Sequence, residues 1–298
     1  MGVNRMKPTV DLSVIIVNYN TKDLLRACLS TVFDSELRSY TMEVFVSDNA
    51  SSDGSKQMVG KEYPQVRVIE NSKNLGFAAA NNQGLKMAQG RYVVLLNSDT
   101  EVSPDTFSTM IEYMDENKDV GGATCKLVLA DGKIDPACHR GFPTPWASFT
   151  YYAGLEKLFP RSRLFSKYHL GYKDPDTIHD VDVISGAFFW VRQEIISSVG
   201  LLDEDYFMYA EDIDWAYRIR TAGWRIVYNP TTTTLHRKKQ SGRSHASKAQ
   251  RIKTQLLFHK NNKLFYTKHY AKQYSPVLTF LIYFVFDVRM FFLKYFSL

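Results

Sequence analysis

The segment Leu12-Ser-Val-Ile-Ile-Val17, followed by Asn18-Tyr19-Asn20, decides the fold class. Five of its six residues are apolar, which is typical of a central parallel strand covered by helices on both faces. Thr21 then opens a segment in which apolar residues recur at helical spacing: Leu24, Leu25, Cys28, Leu29 and Val32. The chain therefore begins with a buried strand, a polar turn and an amphipathic helix.

The same alternation of apolar runs and helical patterns continues to about residue 130. Further strands are predicted at 44–46, 66–69, 92–96 and 123–129, and helices at 52–59, 77–88 and from Ser103 onward. This order predicts an α/β fold with a mostly parallel, twisted sheet flanked by helices. Residues 136–180 show no clear period. A second ordered block follows, with strands predicted at 181–191 and 224–228 and helices that end at Gly200 and Gly223.

The charges are divided unevenly along the 298 residues, whose net charge is +6. Residues 1–214 hold 21 Lys/Arg and 30 Asp/Glu, whereas residues 215–286 hold 14 Lys/Arg and no acidic residue. With 45% hydrophobic residues the chain can bury a core, which excludes a disordered protein or a disulfide scaffold. An acidic body with a basic tail predicts that the tail contacts something anionic.

The C-terminal region predicts a membrane surface as that anionic partner. The apolar run Val277–Phe286 is ten residues long, whereas a membrane-spanning helix needs about 20, so an interfacial or docking helix is predicted and no single-pass anchor. The basic cluster Arg237-Lys238-Lys239 belongs to no nucleic-acid motif, so nucleic acid is not a predicted partner. The N-terminus lacks the apolar core of a signal peptide, so we expect a cytoplasmic, peripheral protein.

Polar turns follow three of the predicted strands, and they predict a ligand site. They are Asn18-Tyr19-Asn20, Asp48-Asn49 and Asn97-Ser98-Asp99. Ligands of open α/β sheets bind at the carboxyl ends of the strands, although Asn and Asp also end strands for turn geometry alone. Neither a G-x-G-x-x-G motif nor a P-loop is present. A divalent cation is therefore expected beside any bound phosphates, and the Asp99 carboxylate suits Mg²⁺ or Mn²⁺.

The motifs resemble those of family 2 glycosyltransferases, which have the GT-A fold. The resemblance covers residues 11 to about 240 and is carried by residues 12–20, 46–54, 74–82, 96–99 and 207–224. Asn97-Ser98-Asp99 and Leu235-His236 are most similar to rhamnosyltransferase-type members that build bacterial surface polysaccharides. The resemblance implies a glycosyltransferase domain over 1–240, with a nucleotide-sugar half at 11–130 and an acceptor half at 131–240. Residues 241–298 are then a helical, basic and apolar extension that docks on the membrane.

The reaction implied is inverting transfer of a sugar from a nucleoside-diphosphate donor to a hydroxyl of a saccharide or lipid-linked acceptor. dTDP-rhamnose is the favoured donor and a UDP-hexose remains open, as does a homo-oligomer. Asn97 replaces one carboxylate of the family's Asp-x-Asp element. A catalytically weak homologue that only binds nucleotide sugars is therefore the alternative.

The resemblance also implies roles for individual residues. Asp212 matches the catalytic base, and Asp99 and His236 match ligands of Mg²⁺ or Mn²⁺. The remaining candidates are expected to contact donor or acceptor: Val17, Asn18, Tyr19, Asp48, Asn74, Gly76, Asn97, Ser98, Gly186, Glu211 and Trp215.

Each assignment has a structural alternative. Glu211, Asp212 and Asp214 can favour a helix N-terminus, with Asp214 paired to Arg218 four residues on. Asn74 can be a helix cap only, Gly186 can serve close packing, and His236 can be an ordinary histidine. The aromatic stretch Trp146–Tyr152 can line an acceptor site or belong to the core.

Overall fold

The computed structural model describes residues 10–238 and 248–296. Its strands are β1 (Val10–Asn18), β2 (Met42–Asp48), β3 (Arg67–Glu70), β4 (Gly90–Asn97), β5 (Thr100–Val102), β6 (Val120–Leu129), β7 (His179–Asp180), β8 (Phe188–Arg192) and β9 (Arg225–His236). Its helices are α1 (Lys22–Phe33), α2 (Ser55–Glu62), α3 (Phe77–Met87), α4 (Thr106–Glu116), α5 (Pro145–Tyr152), α6 (Leu155–Leu158), α7 (Gln193–Ser198), α8 (Glu211–Thr221), α9 (Lys248–His269) and α10 (Pro276–Tyr295).

The strands form one sheet in the order β3-β2-β1-β4-β8-β6-β9-β5, with β7 paired to β9. The predicted α/β fold is confirmed, and the first four strands pair in parallel as predicted. The second half makes the sheet mixed, because β8 runs antiparallel to both β4 and β6, and β5 and β7 run antiparallel to β9. Strands β1, β2 and β3 follow one another toward one edge of the sheet, and β4 then lies on the other side of β1, so strand order reverses between β1 and β4.

Strand β1 lies at the centre of the first half, and its residues Leu12, Val14, Ile15 and Ile16 are inaccessible to solvent, so both of its faces are covered. Helix α3 lies against it at a very short distance, which Gly84 permits. A Cβ at position 84 would lie 2.7 Å from Ile15 Cγ2, closer than real Cβ atoms come to other carbon atoms. This close approach of helix to strand fixes where α3 begins, and its first residues border the candidate site.

The segments that differ from the predicted elements lie in the second half. The strand predicted at 181–191 begins only at Phe188, because residues before it form an isolated bridge between Val183 and Arg140. Strand β9 continues eight residues beyond the predicted end at Tyr228, through a threonine run that pairs with β6. Residues 136–180, which show no period, contain α5, α6 and β7.

The C-terminal helices differ in how much of them is buried. Helix α9 contributes Phe265, Tyr266 and Tyr270 to the main core. Helix α10 is 20 residues long with a mean hydropathy of 1.8 over its most apolar window, none of which is buried. The expectation that this segment is too short to cross a membrane is therefore wrong on length, because the helix continues past Asp287 and Arg289 to Tyr295.

We predict that Gly84→Ala lowers the free energy of unfolding by about 1 kcal/mol. Overpacking against Ile15 costs about 1–3 kcal/mol, and the higher helix propensity of alanine offsets about 1 kcal/mol of it. The matched control is Gly60→Ala in α2, where an added Cβ meets no atom within 4 Å. That variant should gain about 0.5–1 kcal/mol. Urea denaturation measures both, and equal shifts would contradict the packing argument.

Candidate active site

The three predicted polar turns lie side by side at the carboxyl edge of the sheet. Register pairs Asn18 of β1 with Asp48 of β2, and Val17 of β1 with Asn97 of β4. The edge lies where strand order reverses, which is where open α/β sheets bind ligands. The predicted convergence of the three turns is therefore present in the structure.

The turns after β1 and β2 are held together by buried hydrogen bonds. Asn18 Nδ2 donates to Asp48 Oδ2 at 2.9 Å and to Ser51 Oγ at 3.0 Å, and the Ser51 backbone N–H donates to Asp48 Oδ1 at 2.9 Å. Asn18 and Asp48 are buried, whereas Tyr19 is 50% exposed and Val17 is half-buried. Asn18 and Asp48 thus shape the edge, and Tyr19 is the side chain presented to solvent there. Contact of Asp48 with a nucleotide stays a prediction.

The loop before α3 joins the two halves of the chain. The Asn74 side chain accepts from the Gly76 backbone N–H at 2.9 Å, so it closes a turn in the loop. Gly76 has a φ of +87°, and a Cβ there would lie 2.3 Å from the Phe207 carbonyl oxygen. The Phe77 backbone N–H donates to that same oxygen at 2.7 Å. Only glycine fits this position.

Gly186 borders the same junction from the other side. A Cβ at position 186 would lie 3.1 Å from the ring of Phe77. Ala187, the next residue, accepts from the Asn97 backbone N–H at 3.1 Å. The contacts of Gly186 therefore support close packing, and its contact with substrate stays a prediction.

The turn after β4 places Asp99 next to His236. Ser98 Oγ lies 2.9 Å from Thr21 Oγ1, and the Asp99 carbonyl accepts from the Arg237 backbone N–H at 2.8 Å. His236, the last residue of β9, has its Nε2 3.4 Å from Asp99 Oδ1. The two residues predicted as metal ligands are thus neighbours, although they are 137 positions apart in the sequence. The antiparallel pairing of β5 with β9 brings them together.

Asp135 completes this group, and no sequence motif indicated it. Its carboxylate is buried and lies 2.7 Å from His236 Nδ1 and 3.0 Å from Lys238 Nζ. Burial disfavours the imidazolium, but hydrogen bonds to Asp135 and Asp99 outweigh it and raise the pKa of His236 to about 9. A carboxylate that holds one ring nitrogen while the other faces a second carboxylate is the arrangement of metal-ligating histidines.

The donor set of this group suits a divalent cation that accepts both oxygen and nitrogen ligands. Within residues 10–238 and 248–296, no group of three or more His, Cys, Asp or Glu side chains is arranged to hold a metal on its own. Binding of a cation by Asp99 and His236 stays a prediction.

The predicted acceptor-side residues Glu211 and Asp212 lie at the N-terminus of α8, directly after a strained turn. Tyr209 and Ala210 both have left-handed backbone conformations, with φ of +73° and +70°. Asn261 of α9 donates its side-chain N–H groups to the carbonyls of Met208 at 2.8 Å and Tyr209 at 3.3 Å. Helix α9 thus holds the turn from which Glu211 and Asp212 project.

The two adjacent carboxyl groups have different environments. Asp212 Oδ2 accepts from the Arg140 guanidinium at 2.8 Å, and its side chain is 16% exposed. Glu211 is buried, and its Oε2 has no hydrogen-bond partner. Burial together with the neighbouring Asp212 raises the pKa of Glu211 well above its usual range. Burial therefore favours the protonated form of Glu211, whereas Asp212 is the member of the pair that is ion-paired and reaches solvent.

Two other residues of α8 serve the fold. Asp214 is buried between Arg218 at 2.8 Å and His269 of α9 at 2.6 Å, so its predicted pairing with Arg218 is confirmed. Trp215 is fully buried against Phe189, and its Nε1 donates to the Gly200 carbonyl at 2.9 Å. The prediction that Trp215 contacts substrate is wrong, because its ring faces the sheet.

The family model for glycosyl transferase family 2 matches residues 13–197, which is more than half of the chain. The chain belongs to this family. The N-acetylglucosaminyl-diphospho-decaprenol L-rhamnosyltransferase of Mycobacterium tuberculosis is 29% identical over 248 residues, 79% of each chain. The rhamnosyltransferase WbbL of Escherichia coli K12 is 27% identical over 246 residues, 80% of this chain and 88% of the relative.

Two solved structures have a similar fold. The mannosyltransferase PcManGT from Pyrobaculum calidifontis, in complex with GDP-Man and Mn²⁺, superposes with a TM-score of 0.59 at 19% identity. The match covers 97% of this chain and 72% of that structure. S. aureus TarS in complex with UDP gives a TM-score of 0.54 at 17% identity, over 85% of this chain and 65% of that one. The GT-A fold is thereby confirmed, and the protein is a glycosyltransferase.

We predict that Arg140→Met destabilises the protein by roughly 3 kcal/mol, because Asp212 is left without its cation. Asp212→Asn in the same chain should restore about 1–2 kcal/mol, since the uncompensated carboxylate is then gone. Chemical denaturation of both single variants and the double variant measures this coupling. Additive losses would show that Arg140 acts only through its bond to the Ala137 carbonyl.

Proposed function

We propose that this glycosyltransferase is an inverting enzyme that moves rhamnose from dTDP-rhamnose to a hydroxyl of a lipid-linked saccharide during bacterial surface polysaccharide synthesis. The observation that carries the proposal is the pair Asp212–Arg140 at the start of α8, the helix whose preceding segment contacts the backbone at the start of α3. The two rhamnosyltransferase relatives support the donor, and the decaprenol-linked name of one of them supports a lipid-linked acceptor.

Inverting transfer needs one carboxylate on the acceptor side. It accepts the proton of the acceptor hydroxyl while that oxygen attacks the anomeric carbon from the face opposite the departing diphosphate. Asp212 meets this requirement, because it is partly exposed and Arg140 fixes one of its oxygens. Glu211 is buried, and burial raises its pKa, so its proposed part is to shape the acceptor side beside Asp212 rather than to take the proton.

The donor would lie along the carboxyl edge of the sheet. Tyr19 and the backbone of Val17 would contact the nucleobase, with Asn18 and Asp48 supporting that turn. Asn74 and Gly76 would border the nucleotide where the backbone of α3 begins. Asn97 and Ser98 would face the sugar and diphosphate, next to the cation site.

Asp99 and His236 would hold Mg²⁺ or Mn²⁺, with Asp135 orienting the imidazole. When bound, the cation would neutralise the charge that develops on the nucleoside diphosphate as it leaves. The Mn²⁺ in the mannosyltransferase structure supports this choice of cofactor.

The proposed location is the inner face of the cell membrane, with α10 lying along the surface. Helix α10 is tied to the body along its length: Asp287 pairs with Lys263 at 2.6 Å, and Thr279 Oγ1 lies 3.0 Å from Tyr266 Oη. These bonds hold α10 against α9, as interfacial docking requires. Its exposed face is apolar, which suits insertion at the headgroup boundary.

We predict that Asp212→Asn abolishes transfer, whereas Glu211→Gln retains most of it. The amide of Asn cannot take a proton, but Gln reproduces the neutral form that Glu211 already has. Release of dTDP from dTDP-rhamnose with a lipid-linked acceptor measures transfer, and calorimetry confirms that both variants still bind dTDP. Normal turnover by Asp212→Asn would refute the base assignment. Binding without turnover in the unmodified protein would instead favour a nucleotide-sugar-binding homologue.

We predict that Asp135→Asn weakens binding of Mn²⁺ in the presence of dTDP by about 10- to 100-fold, because His236 loses the group that orients its ring. Asp131→Asn is the matched control, since Asp131 lies in the same loop but pairs with Lys133 at the surface. Calorimetric titration with Mn²⁺ gives both affinities. Equal affinities, or full transfer in EDTA, would contradict the cation site.

A further inference from the structure

A second apolar surface lies on the catalytic body, outside α10. Residues 145–167, here named the aromatic loop, contain α5, α6 and the turn after them. Seven large apolar side chains of this loop are between 40% and 71% exposed: Trp146, Phe149, Tyr151, Tyr152, Leu158, Phe159 and Leu164. This exposure argues against the predicted core alternative for Trp146–Tyr152, because a core would bury these rings; the acceptor-site alternative stays a prediction. Exposed apolar patches of this kind mark interaction sites.

Four aromatic side chains of the loop form one connected cluster. Trp146 contacts Phe149 and Phe165, with ring centroids 5.8 Å and 6.3 Å apart, and Phe159 contacts Phe165 at 5.4 Å. The Trp146 Nε1–H donates to the Leu164 carbonyl at 2.9 Å, so the indole is fixed to the turn that follows α6. The patch is therefore an ordered surface built by the loop itself.

The charges around this patch have one sign. Lys157, Arg161, Arg163 and Lys167 are all exposed. Glu156, the loop's one acidic residue, is buried and lies 3.0 Å from His169 Nδ1. An apolar patch on a loop whose exposed charges are all cations is complementary to an anionic lipid surface, where aromatic rings sit at headgroup level and basic groups bind phosphates.

The aromatic loop also adjoins α10 and the active site. The Arg289 guanidinium of α10 lies over the Tyr152 ring, 4.5 Å from its centre. At the stem of the loop, the Gly141 backbone N–H donates to the Tyr168 carbonyl at 2.9 Å, and Phe142 packs against Tyr217 of α8. The loop is thus fixed between the apolar C-terminal helix and the helix that carries Asp212.

We propose that the aromatic loop is a second bilayer-contact surface, which binds anionic headgroups and sets Asp212 at the height of a membrane-bound acceptor. The inference rests on the proposed function only for the identity of that acceptor. Contact of the loop with lipid is a separate property, and it is tested separately from transfer.

The test uses full-length variants that keep α10, with vesicles of phosphatidylcholine alone or mixed with phosphatidylglycerol. Lys157→Gln with Arg161→Gln should lower binding to the anionic vesicles by about tenfold or more and leave binding to neutral vesicles unchanged. Leu158→Ser with Leu164→Ser should lower binding to both vesicle types by about tenfold or more. The matched controls replace exposed residues elsewhere: Lys61→Gln with Lys86→Gln, and Met87→Ser with Ile178→Ser.

A second measurement locates the loop directly. Lipids brominated on their acyl chains should quench part of the tryptophan fluorescence of the unmodified protein, and Trp146→Phe should remove that part. Unchanged vesicle binding by both loop variants, or quenching that survives Trp146→Phe, would overturn the proposal. Loop variants that alter only sedimentation of the protein alone would assign the patch to self-association instead. If the loop variants lose vesicle binding but Asp212→Asn still transfers the sugar, the proposed function is refuted and the proposed lipid contact stands.

Discussion

The hydrogen bond from the Phe77 backbone to the Phe207 carbonyl is the contact on which the geometry of the site depends. It connects the N-terminus of α3, in the first half of the chain, to the segment that leads into the strained turn before α8, in the second half. The approach is so close that position 76 must be glycine, and Gly84 must likewise be small for α3 to reach β1. Because these contacts are made by backbone atoms, side-chain motion changes little the distance between the carboxyl edge of the sheet and the proposed base, Asp212.

The acidic body and basic tail inferred from composition are largely complementary to each other. Lys268 of α9 pairs with Asp203 and Asp205, Lys238 with Asp135, and Arg237 with Glu101. Several basic residues of the tail therefore form ion pairs with acidic residues of the body. Lys239, the last residue of the basic cluster, lies outside the described residues. Other exposed basic residues of α9 have no ion pair among the described residues and remain available to lipid phosphates: Lys248, Arg251, Lys253 and Lys260.

The donor edge could be predicted from the sequence because local signals specify it. A buried strand, a polar turn and a helix recur in order, and the sheet rule brings the ends of β1, β2 and β4 together. Trp215 was assigned wrongly because a motif gives its position along the chain but not the face of α8 that packs against the sheet. The end of α10 could not be predicted because Asp287 and Arg289 interrupt its apolar run. In the structure, Asp287 pairs with Lys263 of α9, and Arg289 lies over the Tyr152 ring of α5.

The residues that could not be predicted come from one segment without periodicity. Asp135 and Arg140 lie five positions apart in the connection after β6, and they hold His236 and Asp212 respectively. Neither pairing is local in sequence, because the first depends on β6 lying beside β9 and the second on the Val183 bridge that brings residue 140 toward α8. One short connection therefore orients both the proposed cation ligand and the proposed base. It continues directly into the aromatic loop, so a force applied to that loop at a membrane surface would be transmitted to both groups through the same backbone.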